Sequence, residues 1–194
     1  MVGPGLTCLA VEGWFLSGDD VAAVRERAGA AVAAGAGAVI VREGPAGDPL
    51  VLAGALVSSV PEALLAACVG LDGGEGETGG QRRHPTVLAR DMTSLDLLCG
   101  GRSLLCLEPP FGAGDLEAVG LCRSMWDRGT ASSPGPIYPV PGAVNRPRPA
   151  GEHSPAVALD LTTEPDTVPA GLVEAVDFVL RPGRAPHVCR LEQS

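Results

Sequence analysis

Short unbroken apolar runs, each followed by a segment with helical spacing, recur along this chain and restrict its fold more than any other feature. Residues 6–11 form the first such run, ending at Glu12-Gly13, as a strand buried on both faces requires. Ser17-Gly18-Asp19-Asp20 then offers an N-cap with a carboxylate three residues on. Val21, Val24, Ala28, Ala31 and Val32 follow at helical spacing, and Gly35 stops the helix. The pattern repeats with a strand at 38–41, a helix capped by Asp48 with Pro49 at its first position, and a strand at 64–71. A helix at 85–98, a strand at 103–107 and a helix at 115–128 complete the regular part. Strands alternating with helices predict a parallel sheet.

Beyond Gly129 the periodicity loosens. Ser132-Ser133-Pro134-Gly135-Pro136 and then Pro139, Pro141, Pro147 and Pro149 predict an irregular loop over about 129–155, longer than a simple connection and of the kind that carries function. Regularity resumes with strands at 156–161 and 178–180, a short helix begun by Pro169 between them, and a last strand at 188–191. The whole, residues 1–194, reads as one domain with six or seven strands. A closed eightfold α/β barrel typically needs about 250 residues, so an eight-unit barrel would be shortened here.

Charge and cysteine usage narrow the partners. The net charge is −9, and every positive side chain among the 14 is arginine. Clustered positive charge is what binds a phosphate backbone, so neither nucleic acid nor an anionic membrane is expected. Six cysteines are scattered without a Cys-x-x-Cys pair, and Cys8, Cys68 and Cys106 lie in apolar runs; they read as reduced, mostly buried thiols. The N-terminal residues show no basic region followed by an apolar stretch, and no run of ~18 apolar residues occurs. Cytoplasm is the expected compartment.

The segment from His84 to Arg102 is informative in two ways. Physically, Pro85 presets the first helical turn, Leu88, Met92, Leu95 and Leu98 form an apolar stripe, and Gly100-Gly101 supplies a left-handed stop. The same residues, His84-Pro85, Leu88-Ala89 and Leu95-Asp96-Leu97-Leu98-Cys99-Gly100-Gly101-Arg102, also resemble the bacterial luciferase-like monooxygenase family. Cys99 stands where that family usually has Ser. The likeness continues through the helix ending at Trp126, then Gly129, Gly135, Tyr138 and the Asn145-Arg146-Pro147-Arg148-Pro149 loop. With Asp48-Pro49-Leu50 it extends from about Leu6 to Pro149.

The resemblance implies a TIM-barrel-like fold, here a truncated or incomplete (β/α)8 barrel of about six or seven mostly parallel strands. It further implies reduced FMN or coenzyme F420 held at the C-terminal ends of the strands, a small organic substrate, and a homodimer or a heterodimer with a related subunit. Positions just past those strand ends supply the expected site: Glu43, His84 and Glu108 as catalytic groups, with Glu12, Trp14, Arg42 and Asp72 around the cofactor. Asp160, Glu164 and Arg181 lie at later strand ends.

Departures from the family pattern define a second reading. The fourth strand of the family runs into a glycine-rich turn, whereas Leu107 is followed by Glu108-Pro109-Pro110, and proline offers no N–H to a cofactor. Where many F420-using relatives carry an Asp-His pair the chain reads Arg42-Glu43-Gly44, and its later strand-helix units are compressed into 156–194. These departures suit a non-catalytic relative acting as a partner subunit or a ligand-binding protein, with open sheet edges covered by a dimer. Other chemistries lack support. Gly74-Glu75-Gly76-Glu77-Thr78-Gly79 matches a dinucleotide fingerprint only formally, because the next helix starts too late. His84, His153 and His187 lack zinc-ligand spacing, so no metal is expected.

Overall fold

The computed structural model describes residues 6–12, 21–42, 48–71, 83–151, 154–163, 167–182 and 188–193. Seven strands form a barrel: β1 (Leu6–Glu12), β2 (Ala38–Arg42), β3 (Leu64–Val69), β4 (Ser103–Leu107), β7 (Ala156–Asp160), β8 (Phe178–Pro182) and β9 (Val188–Gln193). All neighbours from β1 through β8 run parallel, and β9 pairs antiparallel with both β8 and β1. This is the shortened, mostly parallel barrel that the strand-helix repeats predict. The expected open edges of the barrel are not found among the described residues, because β9 fills the gap between β8 and β1 and closes the ladder.

Period-two alternation sorts the strand residues into two cores. Ala38, Ile40, Ala66, Cys68, Leu104, Cys106, Ala158 and Leu180 pack with one another inside the barrel. Val39, Val41, Leu65, Ala67, Leu105, Leu107, Val157 and Leu159 face outward into a larger core shared with the helices. Small residues dominate the inner set because a narrow barrel leaves little space at its axis.

The outer layer is built by α1 (Val21–Ala33), α2 (Pro49–Leu56), α3 (Pro85–Cys99) and α4 (Ala113–Arg128). Asp48 Oδ1 accepts from the Leu50 and Val51 amides, and Pro49 occupies the first turn of α2. In α3 the stripe Leu88, Met92 and Leu95 is buried, and Gly100 (φ 67°) and Gly101 (φ 84°) adopt the left-handed stop, a conformation costly for residues with a Cβ. Trp126 of α4 is buried with its indole N–H donating to Ala89 O at 2.9 Å, which fixes α4 against α3.

The motif residues behind the family resemblance turn out to be joints of this scaffold. Asp96, 1% exposed, accepts from Ser103 Oγ at 2.7 Å and from the Ser103 amide at 3.4 Å on one oxygen, and from the Ala150 amide at 2.8 Å on the other. Its main-chain carbonyl receives the Gly101 N–H. One aspartate thereby joins the end of α3, the start of β4 and the chain leading to β7. Arg102 donates to the carbonyls of Val60 (2.9 Å) and Ala63 (2.5 Å), tying the entry to β3. Asn145, also buried, donates to Thr93 Oγ1 at 2.8 Å, and Arg148 donates to the carbonyls of Trp126 and Asp127.

Two expectations are corrected. The stretch 129–155 is not without periodic structure: β5 (Thr130–Ser133) and β6 (Val140–Val144) form an antiparallel ribbon outside the barrel. Its prolines fall mostly at the ends and in the connection, and Pro141 is tolerated because a two-stranded ribbon consists of edges. The segment begun by Pro169 is a series of turns over 170–175, not a helix, since Gly171 (φ 80°) interrupts it. Replacing Asp96 with Ala strands the Ser103 amide and hydroxyl and the Ala150 amide, donors on two segments. It is expected to lower the unfolding free energy by about 3 kcal/mol, read as a shift of the urea midpoint at constant slope.

Candidate functional site

Following the inward-facing residues along the barrel axis to the C-terminal ends of the parallel strands leads from apolar to charged side chains. Arg42 follows Ile40 on β2, Glu108 follows Cys106 at the end of β4, and Asp160 follows Ala158 on β7. The Arg42 guanidinium meets Asp160 Oδ2 directly and lies 3.9 Å from Glu108 Oε1. It also donates to Thr162 Oγ1 at 2.9 Å. Thr162 in turn donates to Asp160 Oδ1 from its amide (2.9 Å) and its hydroxyl (2.6 Å), an Asx turn that starts just past β7. Asp160 is 0% exposed, whereas the side chains of Arg42 and Glu108 keep 18% and 19% of their surface. The result is a largely dehydrated arginine held between two carboxylates and a hydroxyl.

Directly below lie two thiols. Cys68 and Cys106 are register partners on β3 and β4, both buried inside the barrel. Burial pushes the Cys68 thiol well above its ordinary value, reinforced by a hydrogen bond with Cys106 and by the nearby carboxylates of Glu108 and Asp160. Cys122, buried between α3 and α4, is raised by burial alone to about 12, so neither thiol is disposed to act as a nucleophile at neutral pH.

The expected site residues distribute unevenly. Arg42 and Glu108 come together, joined by Asp160. Glu12 is the register partner of Arg42 across the β1–β2 ladder. His84 stands elsewhere: it is the N-cap of α3, its Nδ1 accepting from the Thr86 amide at 3.3 Å, with its ring edge-on to Tyr138 at 5.6 Å. Helix capping is the role its contacts describe. Trp14, Glu43 and Asp72 lie outside the described residues, as does the glycine-rich segment 74–79. Thr162 and the Cys68–Cys106 pair were not among the expected site residues. The cysteines were detectable in principle, since each is the next-to-last residue of its strand and has the parity of Glu108.

Neither a known family profile nor a curated protein matches this sequence. Solved structures do. The coenzyme F420 dependent tetrahydromethanopterin reductase from Methanopyrus kandleri superposes with a TM-score of 0.72 at 11% identity, over 92% of this chain and 55% of that one. A long-chain alkane monooxygenase gives 0.67 at 14% identity, over 95% and 58%. The oxygenating constituent of 3,6-diketocamphane monooxygenase of Pseudomonas putida, solved in complex with FMN, gives 0.60 at 16% identity, over 81% and 52%. The chain therefore has the barrel fold of these oxidoreductases and spans somewhat more than half the length of each.

The polar cluster at the mouth is held together by Thr162 as much as by charge. Thr162 bridges Arg42 and Asp160, so Thr162→Val is expected to cost about 1–2 kcal/mol of unfolding free energy, while Thr162→Ser keeps most of it. Urea unfolding of the two variants measures the difference.

Proposed function

We propose that this protein is a luciferase-like barrel that does not carry out flavin chemistry and serves as a non-catalytic partner subunit. The observation that carries this reading is the occupation of the barrel mouth by the chain's own Arg42–Asp160–Thr162 cluster with Glu108 beside it. FMN and F420 both bring phosphate to this end of the barrel. The cluster itself holds two carboxylates against one arginine already engaged with them, and like charges at close range cost on the order of a few kcal/mol. Past Glu108, Pro109 and Pro110 offer no amide donors. These residues do not fit a phosphate-bearing cofactor.

The partner role has separate support on the outer surface. Val51 of α2 is 69% exposed and Leu98 of α3 is 66% exposed. Helices α2 and α3 pack side by side, and a Cβ added at Gly54, one turn beyond Val51, would reach Leu98 Cδ1, so the two helices share an apolar strip that favours burial by a second copy or a related subunit. This face supports pairing through side chains rather than through strand addition to the barrel.

An oxidoreductase using reduced FMN or F420 on a small organic substrate is the second reading, favoured by the fold shared with the F420-dependent reductase and the FMN-bound monooxygenase. Titrating each cofactor against the purified protein by calorimetry separates the two. The proposal expects no saturable heat with either, and stoichiometric binding of one would establish the second reading instead. Sedimentation equilibrium tests the pairing. The protein is expected to be dimeric alone or with its partner, and Leu98→Glu is expected to weaken that association by about tenfold or more, the loss of ~1.4 kcal/mol or more. A variant that associates as tightly as the parent would contradict the assignment of this face.

A further inference from the structure

The two charged acceptors at the mouth and the thiol below them form a group with its own chemistry. Cys68 Sγ, a carboxylate oxygen of Glu108 and a carboxylate oxygen of Asp160 all lie within 4.8 Å of one another. They come from the ends of β3, β4 and β7, which the barrel brings side by side. Cys68 and Asp160 are fully buried, while Glu108 reaches the surface, so the group has a dry floor and one open side. Asp160 Oδ2, although pressed against Arg42, accepts no aligned hydrogen bond. Its contact there is ionic, with Arg42, while Thr162 engages the other oxygen.

We propose that Cys68, Glu108 and Asp160 form a binding site for a thiophilic divalent cation of the zinc class, with Arg42 as the charge partner of its carboxylates. Zinc ligands sit about 2.0–2.3 Å from the ion, which puts them roughly 3.3–3.8 Å apart in a tetrahedron. The three atoms, within 4.8 Å of one another, draw together by up to about 1–1.5 Å to meet that. Sulfur in the set selects zinc, cobalt or cadmium over magnesium or calcium, which take oxygen ligands. The Cys68 thiol exchanges its proton for the metal: the S–H bond breaks, an S–metal bond forms and one proton goes to solvent, with no change of oxidation state.

Charge favours the exchange. The dication and Arg42 together balance one thiolate and two carboxylates, and the Arg42 and Thr162 contacts to Asp160 provide the hydrogen bonding that orients a ligating carboxylate. Three protein ligands leave a fourth position for water. This site does not depend on whether a flavin binds, because its ligands are side chains of the barrel itself.

The test uses the full chain, reduced and freed of metal with a chelator, titrated with Co2+ at neutral pH without oxygen. The expected result is saturation at a single equivalent, with the visible absorption of four-coordinate cobalt and a near-ultraviolet thiolate-to-cobalt band, both abolished by added Zn2+. Cys68→Ser is expected to lose the thiolate band. Cys122→Ser, altered behind Pro85 on the far side of the barrel wall, is expected to keep it. Glu108→Gln, at the exposed side of the group, is expected to weaken cobalt binding by about tenfold or more while melting like the parent. Absence of saturable absorption, persistence of the band in Cys68→Ser, or unchanged affinity in Glu108→Gln would each overturn the site.

Discussion

Asp160 is a carboxylate with no exposed surface at the end of a barrel strand, and an anion in that position persists only if a cation meets it. Arg42 meets it from β2, across the barrel mouth. Below this level the inward positions hold Ile40, Cys106, Ala158 and Leu180, so the charged pair marks where the apolar interior ends. Burial of an ion pair is costly unless its remaining hydrogen-bonding capacity is used. Thr162 uses it on both partners, and Glu108 extends the cluster toward solvent. The arrangement of charge at the mouth and the environment of Cys68 follow from this one contact.

The residues that make the sequence resemble luciferase-like enzymes do different work. Asp96, Arg102, Asn145 and Arg148 satisfy backbone groups where helices end and strands begin, which is a demand of the barrel and not of any reaction. That explains how solved structures with 10 to 16% identity can share the fold. It also explains why the likeness, strong in the middle of the chain, says little about chemistry at the strand ends.

Most of the scaffold was legible before the structure because its signals are local. Capping by Asp48, the stripe in α3, the Gly100-Gly101 stop and the strand-helix alternation each depend on residues a few positions apart. Closure by β9 was not legible, because the antiparallel pairing of a terminal strand with both β8 and β1 leaves no mark in spacing. The β5–β6 ribbon was hidden by prolines that ribbon edges tolerate. At the site, Arg42 and Glu108 could be placed by the rule that barrel strands end in functional residues. The Cys68–Glu108–Asp160 group could not, since its members are separated by tens of residues and share only the parity of their strands. His84 carried a motif signal whose observed physical content is a helix cap.

A double-mutant cycle between Arg42 and Asp160 tests most directly whether the mouth is organised by their contact. Arg42→Met leaves a buried carboxylate uncompensated and should cost about 3 kcal/mol of unfolding free energy. Asp160→Leu should cost less, because Arg42 keeps Glu108 and an edge of solvent. In the double variant an apolar pair replaces the ionic one and most of the loss should return, giving a coupling of about 2 kcal/mol or more. Additive effects, with coupling below about 0.5 kcal/mol, would contradict the account.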